Sequence, residues 1–233
     1  MRMSCLPLSM TRKGKDSRCE MENTTLNRRR SPVKFLKVPR EKENRDGWEV
    51  VLEYEDQGIG PFLIDLSYVP KWLVQDRRLS SVEPWGDRIP ENPGRCTVQK
   101  GTLVTRMNPT QAAVWHLLQM DTTIPRHPAY TDITDAYTLM AVLAKDLFFI
   151  MEKVTPLDLS SPSRKPPFMV QGPVLHVRCQ IVVLGVKEEW AGVLIACSRG
   201  YGQSMSEILL DIGREWDLRP GGETVFRNWL IEE

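Results

Sequence analysis

A single carboxylate, Asp158, stands between Leu157 and Leu159, just beyond the pair Thr155-Pro156. A carboxylate placed just past a packed helix can be held in position for chemistry. It can equally be a turn residue that hydrogen-bonds to the next backbone amides. The segment alone does not choose between these. His116, His127 and His176 do not stand at ligand spacing from one another, and His116 reads as a packing histidine beside an apolar stripe. The five cysteines, at 5, 19, 96, 179 and 197, form no C-x-x-C pair. A closed zinc site or a disulfide framework is therefore not expected, and a reducing compartment suits them best. Cys179 and Cys197 sit inside apolar runs, as small core residues do. Tyr68, Lys71, Trp72 and Gln75 mix aromatic and polar groups. They could line a pocket; the favoured reading is an edge where Trp72 covers the core and Lys71 stays in water. Gly200 and Gly202 make a short glycine turn before a helix. Such a turn can hold an anion, but it is not a dinucleotide fingerprint, which needs more glycines and a later acidic residue.

The element that must position Asp158 runs from Ala129 to Leu159. Ile133–Ala136 reads as a short strand or turn. Tyr137–Leu143 is an apolar run of the kind a buried strand favours. From Lys145 to Val154 the period changes: Leu147, Phe148, Ile150, Met151 and Val154 share one helical face. Asp146 early and Lys153 late suit the helix dipole, and Thr155-Pro156 ends the helix.

Upstream, Glu49–Tyr54 and Phe62–Leu66 are expected to pair as a hairpin across the turn signal at 56–61. Residues 77–97 carry three prolines and two glycines, an irregular stretch that would serve as a lid or contact surface. A strand is expected around Thr102–Thr105. Asn108-Pro109-Thr110-Gln111 looks like a helix start with cap and capping box, and Ala113, Val114, Leu117 and Leu118 would be its buried stripe. Downstream, Ser160–Pro167 is a surface loop closed by Gly172-Pro173. Residues 175–183 alternate as a half-buried strand, and Trp190–Cys197 returns beside it. A helix follows with Ser204 and Glu207 as a capping box and Met205, Ile208, Leu209, Ile212 and Trp216 on its buried face. Pro220-Gly221-Gly222 breaks the chain before a short amphipathic end anchored by Phe226 and Trp229.

At 233 residues, with 41% hydrophobic content, 26% charged content and seven tryptophans, the chain suits one domain with a real core. Its net charge of +1 hides an asymmetry: residues 1–46 hold 13 Lys/Arg against 6 Asp/Glu, and the remainder is acidic. The expected organisation is a basic, flexible tail over 1–46 and one α+β domain over 47–233, with a mixed or antiparallel sheet and packed helices. The head could dock on a partner, on nucleic acid or on its own body. Only Phe35 interleaves with its charges, which disfavours a base-stacking platform. No stretch of about eighteen apolar residues predicts a membrane span, and no ordinary secretion signal is evident.

Residues 129–230 resemble the folate-binding fold shared by the aminomethyltransferase of the glycine cleavage system and the gamma subunit of heterotetrameric sarcosine oxidase. The resemblance is carried by TDITDAYTLMAVLAKDLFFIMEKVTPLDL, Gly172, the two strands and SMSEILLDIGREWDL. It implies that Asp158 matches the carboxylate the aminomethyltransferases hold near the folate nitrogens. There it would hold and polarise an amine, while Lys71, Arg178 or Arg199 would neutralise the folate tail. The chain departs from the transferases. It lacks their glycine-rich segment with paired aspartates and the later glutamate and arginine motifs of their pterin site, and it is short for their three-domain ring. The gamma subunit fits length and architecture better.

Three functions follow as expectations. The leading one is a subunit of a cytoplasmic, tetrahydrofolate-linked complex for N-methyl or aminomethyl oxidation or transfer. Its partners would be other subunits, with tetrahydrofolate shared between chains and no flavin or metal site of its own. The second is a free-standing tetrahydrofolate-dependent transferase using Asp158. The third, a nucleic-acid-binding or regulatory protein, rests only on the basic head.

Overall fold

The computed structural model describes residues 28–118, 123 and 125–231; most of the basic head, with Cys5 and Cys19, lies outside them. Among the described residues, thirteen strands and three α-helices follow in the order β1 (Pro39–Arg45), β2 (Trp48–Tyr54), β3 (Phe62–Asp65), β4 (Lys71–Gln75), β5 (Cys96–Gln99), β6 (Thr102–Asn108), β7 (Gln111–His116), β8 (Tyr130–Asp132), β9 (Tyr137–Ala144), α1 (Leu147–Glu152), β10 (Phe168–Val174), β11 (Val177–Lys187), β12 (Trp190–Ser198), α2 (Gly202–Ile212), β13 (Arg219–Gly221) and α3 (Glu223–Ile231). The fold is α+β. A six-stranded mixed sheet has the order β10-β11-β12-β9-β3-β13, a five-stranded sheet the order β5-β6-β7-β4-β8, and β1-β2 form a separate hairpin. Only the β13–β3 pair is parallel in the six-stranded sheet.

Strand β9 explains the architecture. Its residues from Thr138 to Ala144 are all buried. Met140, Val142 and Ala144 enter one core, with Leu147, Ile150 and Met151 of α1 and Met205 and Leu209 of α2. Leu139, Ala141 and Leu143 enter a second core, with Leu103, Ala113 and Trp115 of the five-stranded sheet and Phe226 and Trp229 of α3. A strand covered on both faces has no polar face to alternate with, hence the continuous apolar run TLMAVLA. The far face of the five-stranded sheet packs Trp72, Val74, Val104 and Val114 under Leu79, Val82 and Ile89. The proline-rich segment thus covers a third core rather than forming a free loop.

Several expectations are corrected. Strands β2 and β3 do not form a hairpin: β3 pairs with β9, Phe62 opposite Leu143, whereas β2 pairs with β1. The turn between β1 and β2 is Asp46-Gly47, at φ +48° and +82°, the two left-handed positions a tight hairpin needs. Ordered structure therefore starts upstream of residue 47, and the expected tail–domain boundary falls inside this turn. Gln111–His116 is a strand, not a helix. Asn108 Oδ1 accepts from the Thr110 N–H at 2.9 Å, and its Nδ2 donates to Gln111 Oε1 at 2.6 Å. The side chain that would cap a helix instead closes the β6–β7 turn. Ala112 and Val114 face one core and Ala113 and Trp115 another, so the segment lacks the alternation that marks a strand. Gly172-Pro173 lies inside β10, at the sheet edge where proline is tolerated. Helix α2 begins at Gly202, and Ser204 Oγ bonds back to Tyr201 O at 3.1 Å. No capping box forms there, and Ile208 is 42% exposed.

Candidate functional site

A cluster of buried polar groups gathers where β3 ends and the chain turns toward β4. Asp65 closes β3. Its Oδ1 accepts from Ser67 N and Oγ at 3.0 and 2.6 Å, and its Oδ2 accepts from Ser31 Oγ. Burial pushes the Asp65 carboxyl up, against the pull of the Ser31 and Ser67 hydrogen bonds and of Lys71. Lys71 opens β4 and is 1% exposed. The expectation that it stays in water is overturned. Its Nζ donates to Ser67 O at 2.9 Å and Val69 O at 2.7 Å. Burial lowers its pKa to about 7, although Asp65, Asp132 and Asp135 all favour the charged form. Two carbonyls solvate the ammonium less well than water does.

A second buried set ties the β1–β2 hairpin to α3. Arg45 Nη1 lies 3.1 Å from Glu223 Oε1, and Tyr68 Oη donates to the same oxygen at 3.1 Å. Burial alone would lower the Arg45 value, but the hydrogen bond and charge of Glu223, with Tyr68, raise it. Tyr68 is raised by burial and then by Glu223. This set is a structural clamp with all its charges matched.

The four residues singled out from sequence do not form one site. Asp158 is exposed, and its Oδ1 accepts from Ser160 N and Oγ at 3.1 and 3.2 Å, an Asx turn. The recess it lines with Phe148, Met151 and Leu157 holds about 20 Å³, room for about one water. A pterin does not fit there. Arg178 is exposed on β11, opposite Pro173 of the edge strand. Arg199 follows β12: its Nη1 is 3.9 Å from Asp135 Oδ1, its Nη2 donates to Arg30 O, and its guanidinium lies over Trp48, 5.5 Å from the ring centroid. It is near enough to Lys71 to disfavour that charge. The fold thus brings Lys71 and Arg199 into one electrostatic neighbourhood around Asp65 and leaves Asp158 and Arg178 outside it.

Sequence reasoning missed Asp65, Ser31 and Trp48. Their one sequence signal is the Asp-x-Ser spacing of Asp65 and Ser67, which permits an Asx turn after a strand. Ser31 reaches Asp65 only through the tertiary path of residues 28–37. His116 is buried and its Nδ1 lies 2.9 Å from Thr102 Oγ1, between the rings of Trp72 and Trp85. Among the described residues no group of three or more His, Cys, Asp or Glu could hold a metal ion, and no helix is long and apolar enough to cross a membrane.

No family model matches the chain, and no curated protein matches it in sequence. Among solved structures it is similar to a chain of the heterotetrameric sarcosine oxidase from Corynebacterium sp. U-96, determined in complex with pyrrole 2-carboxylate. The TM-score is 0.53 at 11% identity, over 66% of this chain and 84% of that one. At that identity the likeness is one of fold: the chain has a fold related to a component of that oxidase.

Proposed function

We propose that this chain is a subunit of a cytoplasmic one-carbon complex acting on N-methyl or aminomethyl groups, similar to the gamma subunit of sarcosine oxidase. Any tetrahydrofolate site would be completed by a partner chain. What carries the reading is the fold likeness to a chain of a heterotetrameric oxidase. The small recess at Asp158 supports a shared rather than a self-contained site. A hydrogen bond to a charged carboxylate contributes roughly 1.5–3 kcal/mol, whereas micromolar binding requires about 8 kcal/mol. The balance has to come from an enclosing apolar surface, which the Asp158 recess does not offer.

Two measurements test this. Anaerobic calorimetric titration of the isolated chain with tetrahydrofolate is expected to give a Kd weaker than about 1 μM; a tighter value would favour a free-standing transferase. Purified from its native source, the chain should travel with a flavin-dependent N-methyl oxidising activity. Recovery as a monomer with full one-carbon transfer activity overturns the proposal.

A further inference from the structure

Strands β11 and β12 place Cys179 directly opposite Cys197. Both side chains enter the same core, with Val174, Ile181 and Ile195, and both thiols are free. The kind of pair they form follows from the neighbouring ladders. Along an antiparallel strand the backbone N–H and C=O of one residue point to one side, and those of the next residue to the other. Leu139 O accepts from Leu66 N at 2.8 Å, so Leu139 of β9 turns to the β3 side. Thr138, the residue before it, turns to β12, where it lies opposite Cys197. Cys197 therefore makes its backbone bonds with β9 and presents none to β11.

The other strand agrees. Val174 and Val177 flank the two-residue turn Leu175-His176, at φ +49° and +73°, and pair across it. Two residues on, Cys179 turns to the same side, toward Gly172 of β10. Cys179 and Cys197 are thus a non-hydrogen-bonded pair, the closer of the two kinds, with Cα atoms about 4.5 Å apart. Disulfides span Cα separations of roughly 4.4–6.8 Å, so a bond between them needs little movement of either strand. The two thiols are unequal. A hydrogen bond from Cys179 draws the Cys197 thiol below its ordinary value, against burial and with help from Thr138; the same bond, then burial, pushes Cys179 up. The lower thiol is the better supplied with thiolate. Both residues are buried, but Cys179 lies two residues inside the β10–β11 turn, and β10 is an edge of the sheet. Such a margin opens locally without global unfolding.

We propose that Cys179 and Cys197 are an oxidant-responsive site: a peroxide converts them to a cross-strand disulfide, and a dithiol restores them. The Cys197 sulfur attacks a peroxide oxygen; an S–O bond forms, the O–O bond breaks and water leaves. The Cys179 sulfur then attacks the sulfenic sulfur; the S–S bond forms, the S–O bond breaks, and the hydroxide leaves as a second water with the Cys179 proton. The two thiols lose two electrons and hydrogen peroxide gains them. The link fixes β12 just ahead of Arg199, the cation that disfavours the Lys71 charge. This site uses none of the groups around Asp158, and it stands or fails independently of the subunit reading.

The test exposes the reduced full chain to hydrogen peroxide in native buffer, blocks the remaining thiols with N-ethylmaleimide and digests with trypsin without reductant. Trypsin cuts after Arg178, Lys187 and Arg199, so the link appears as residues 179–187 joined to 188–199, two hydrogens lighter than the separate peptides. That species is expected to form before Cys96 is oxidised, since Cys96 lies opposite Thr105 and burial pushes its thiol up to about 12. It should vanish with dithiothreitol. In Cys179→Ser the intermediate has no partner, and dimedone should trap a sulfenic acid at Cys197. Absence of the linked species in native buffer, a link that forms only in urea, or pairing of either residue with Cys5, Cys19 or Cys96 in its place overturns the proposal. An untrapped Cys197 in a folded Cys179→Ser variant overturns its role as the attacking sulfur.

Discussion

Replacing Lys71 by methionine tests the physical account of the Asp65–Lys71 region most directly. Methionine keeps an unbranched side chain, one atom shorter, and removes the titrating amine. In the unfolded chain this lysine titrates at 10.5; in the folded protein burial brings it to about 7. Between these values the unfolded state binds more protons than the native state, so the lysine costs stability, and the cost shrinks as pH rises. Below about pH 7 the whole cost is present; above about 10.5 it has gone. Linkage gives a slope near 1.4 kcal/mol per pH unit in that window. From pH 7 to 9 the wild-type protein should therefore gain about 2 kcal/mol relative to Lys71→Met, allowing for half-protonation at the lower end. The constant offset between the two proteins carries a separate quantity, the hydrogen bonds to Ser67 O and Val69 O that methionine cannot make. Urea unfolding of both proteins at pH 7, 8 and 9 measures the difference, and other titrating groups cancel in it. If the two stabilities run parallel over this range, Lys71 is not desolvated and the reasoning fails.

Two further outcomes are expected. Glu223→Ala takes the buried carboxylate from Arg45, 12% exposed at its side chain, and from Tyr68, while Arg45 keeps Glu43 at 2.9 Å; a loss of about 1.5–3 kcal/mol is expected in urea unfolding, the worth of a hydrogen bond to a charged group, and a loss below about 1 kcal/mol would remove the clamp from the account. Asp158→Ala removes only an exposed Asx turn to Ser160, so unfolding free energy should drop by no more than about 1 kcal/mol; a larger loss would mean that Asp158 supports more of the fold than its own loop.

How much of this was legible beforehand depended on how local the deciding interaction is. The boundaries of β2, β9, β12 and α3 follow from composition and period, since each buries a set of side chains that its own sequence displays. The Asp46-Gly47 hairpin was missed: the dipeptide tolerates positive φ, but the charge of the flanking segment was read as a tail. The β1 strand is exposed along most of its length, so no apolar pattern advertised it. Gln111–His116 failed for the opposite reason: both of its faces are buried, and a short apolar run without alternation does not declare its period. Asn108 satisfies the requirements of a helix cap and of a β-turn alike.

The candidate site separates the two kinds of information more sharply. Residue types determined which groups could do chemistry: a carboxylate at 158, cations at 71, 178 and 199, and no ligand-spaced histidines. The local sequence allowed the turn role of Asp158, because an Asx turn involves only the next two residues, but it did not choose that role over a positioned carboxylate. Which groups meet was decided by tertiary structure alone. Lys71 was expected in water because a lysine beside a tryptophan usually snorkels to the surface. It is buried because β4 lies between β7 and β8 and the loop from Ser67 to Val69 folds two carbonyls onto its amine. Ser31 and Asp65 are 34 positions apart, as far as any local rule is concerned unrelated, and the path of residues 28–37 joins them. Burial and charge act through space, and distance in space between remote segments is set only when the sheets close.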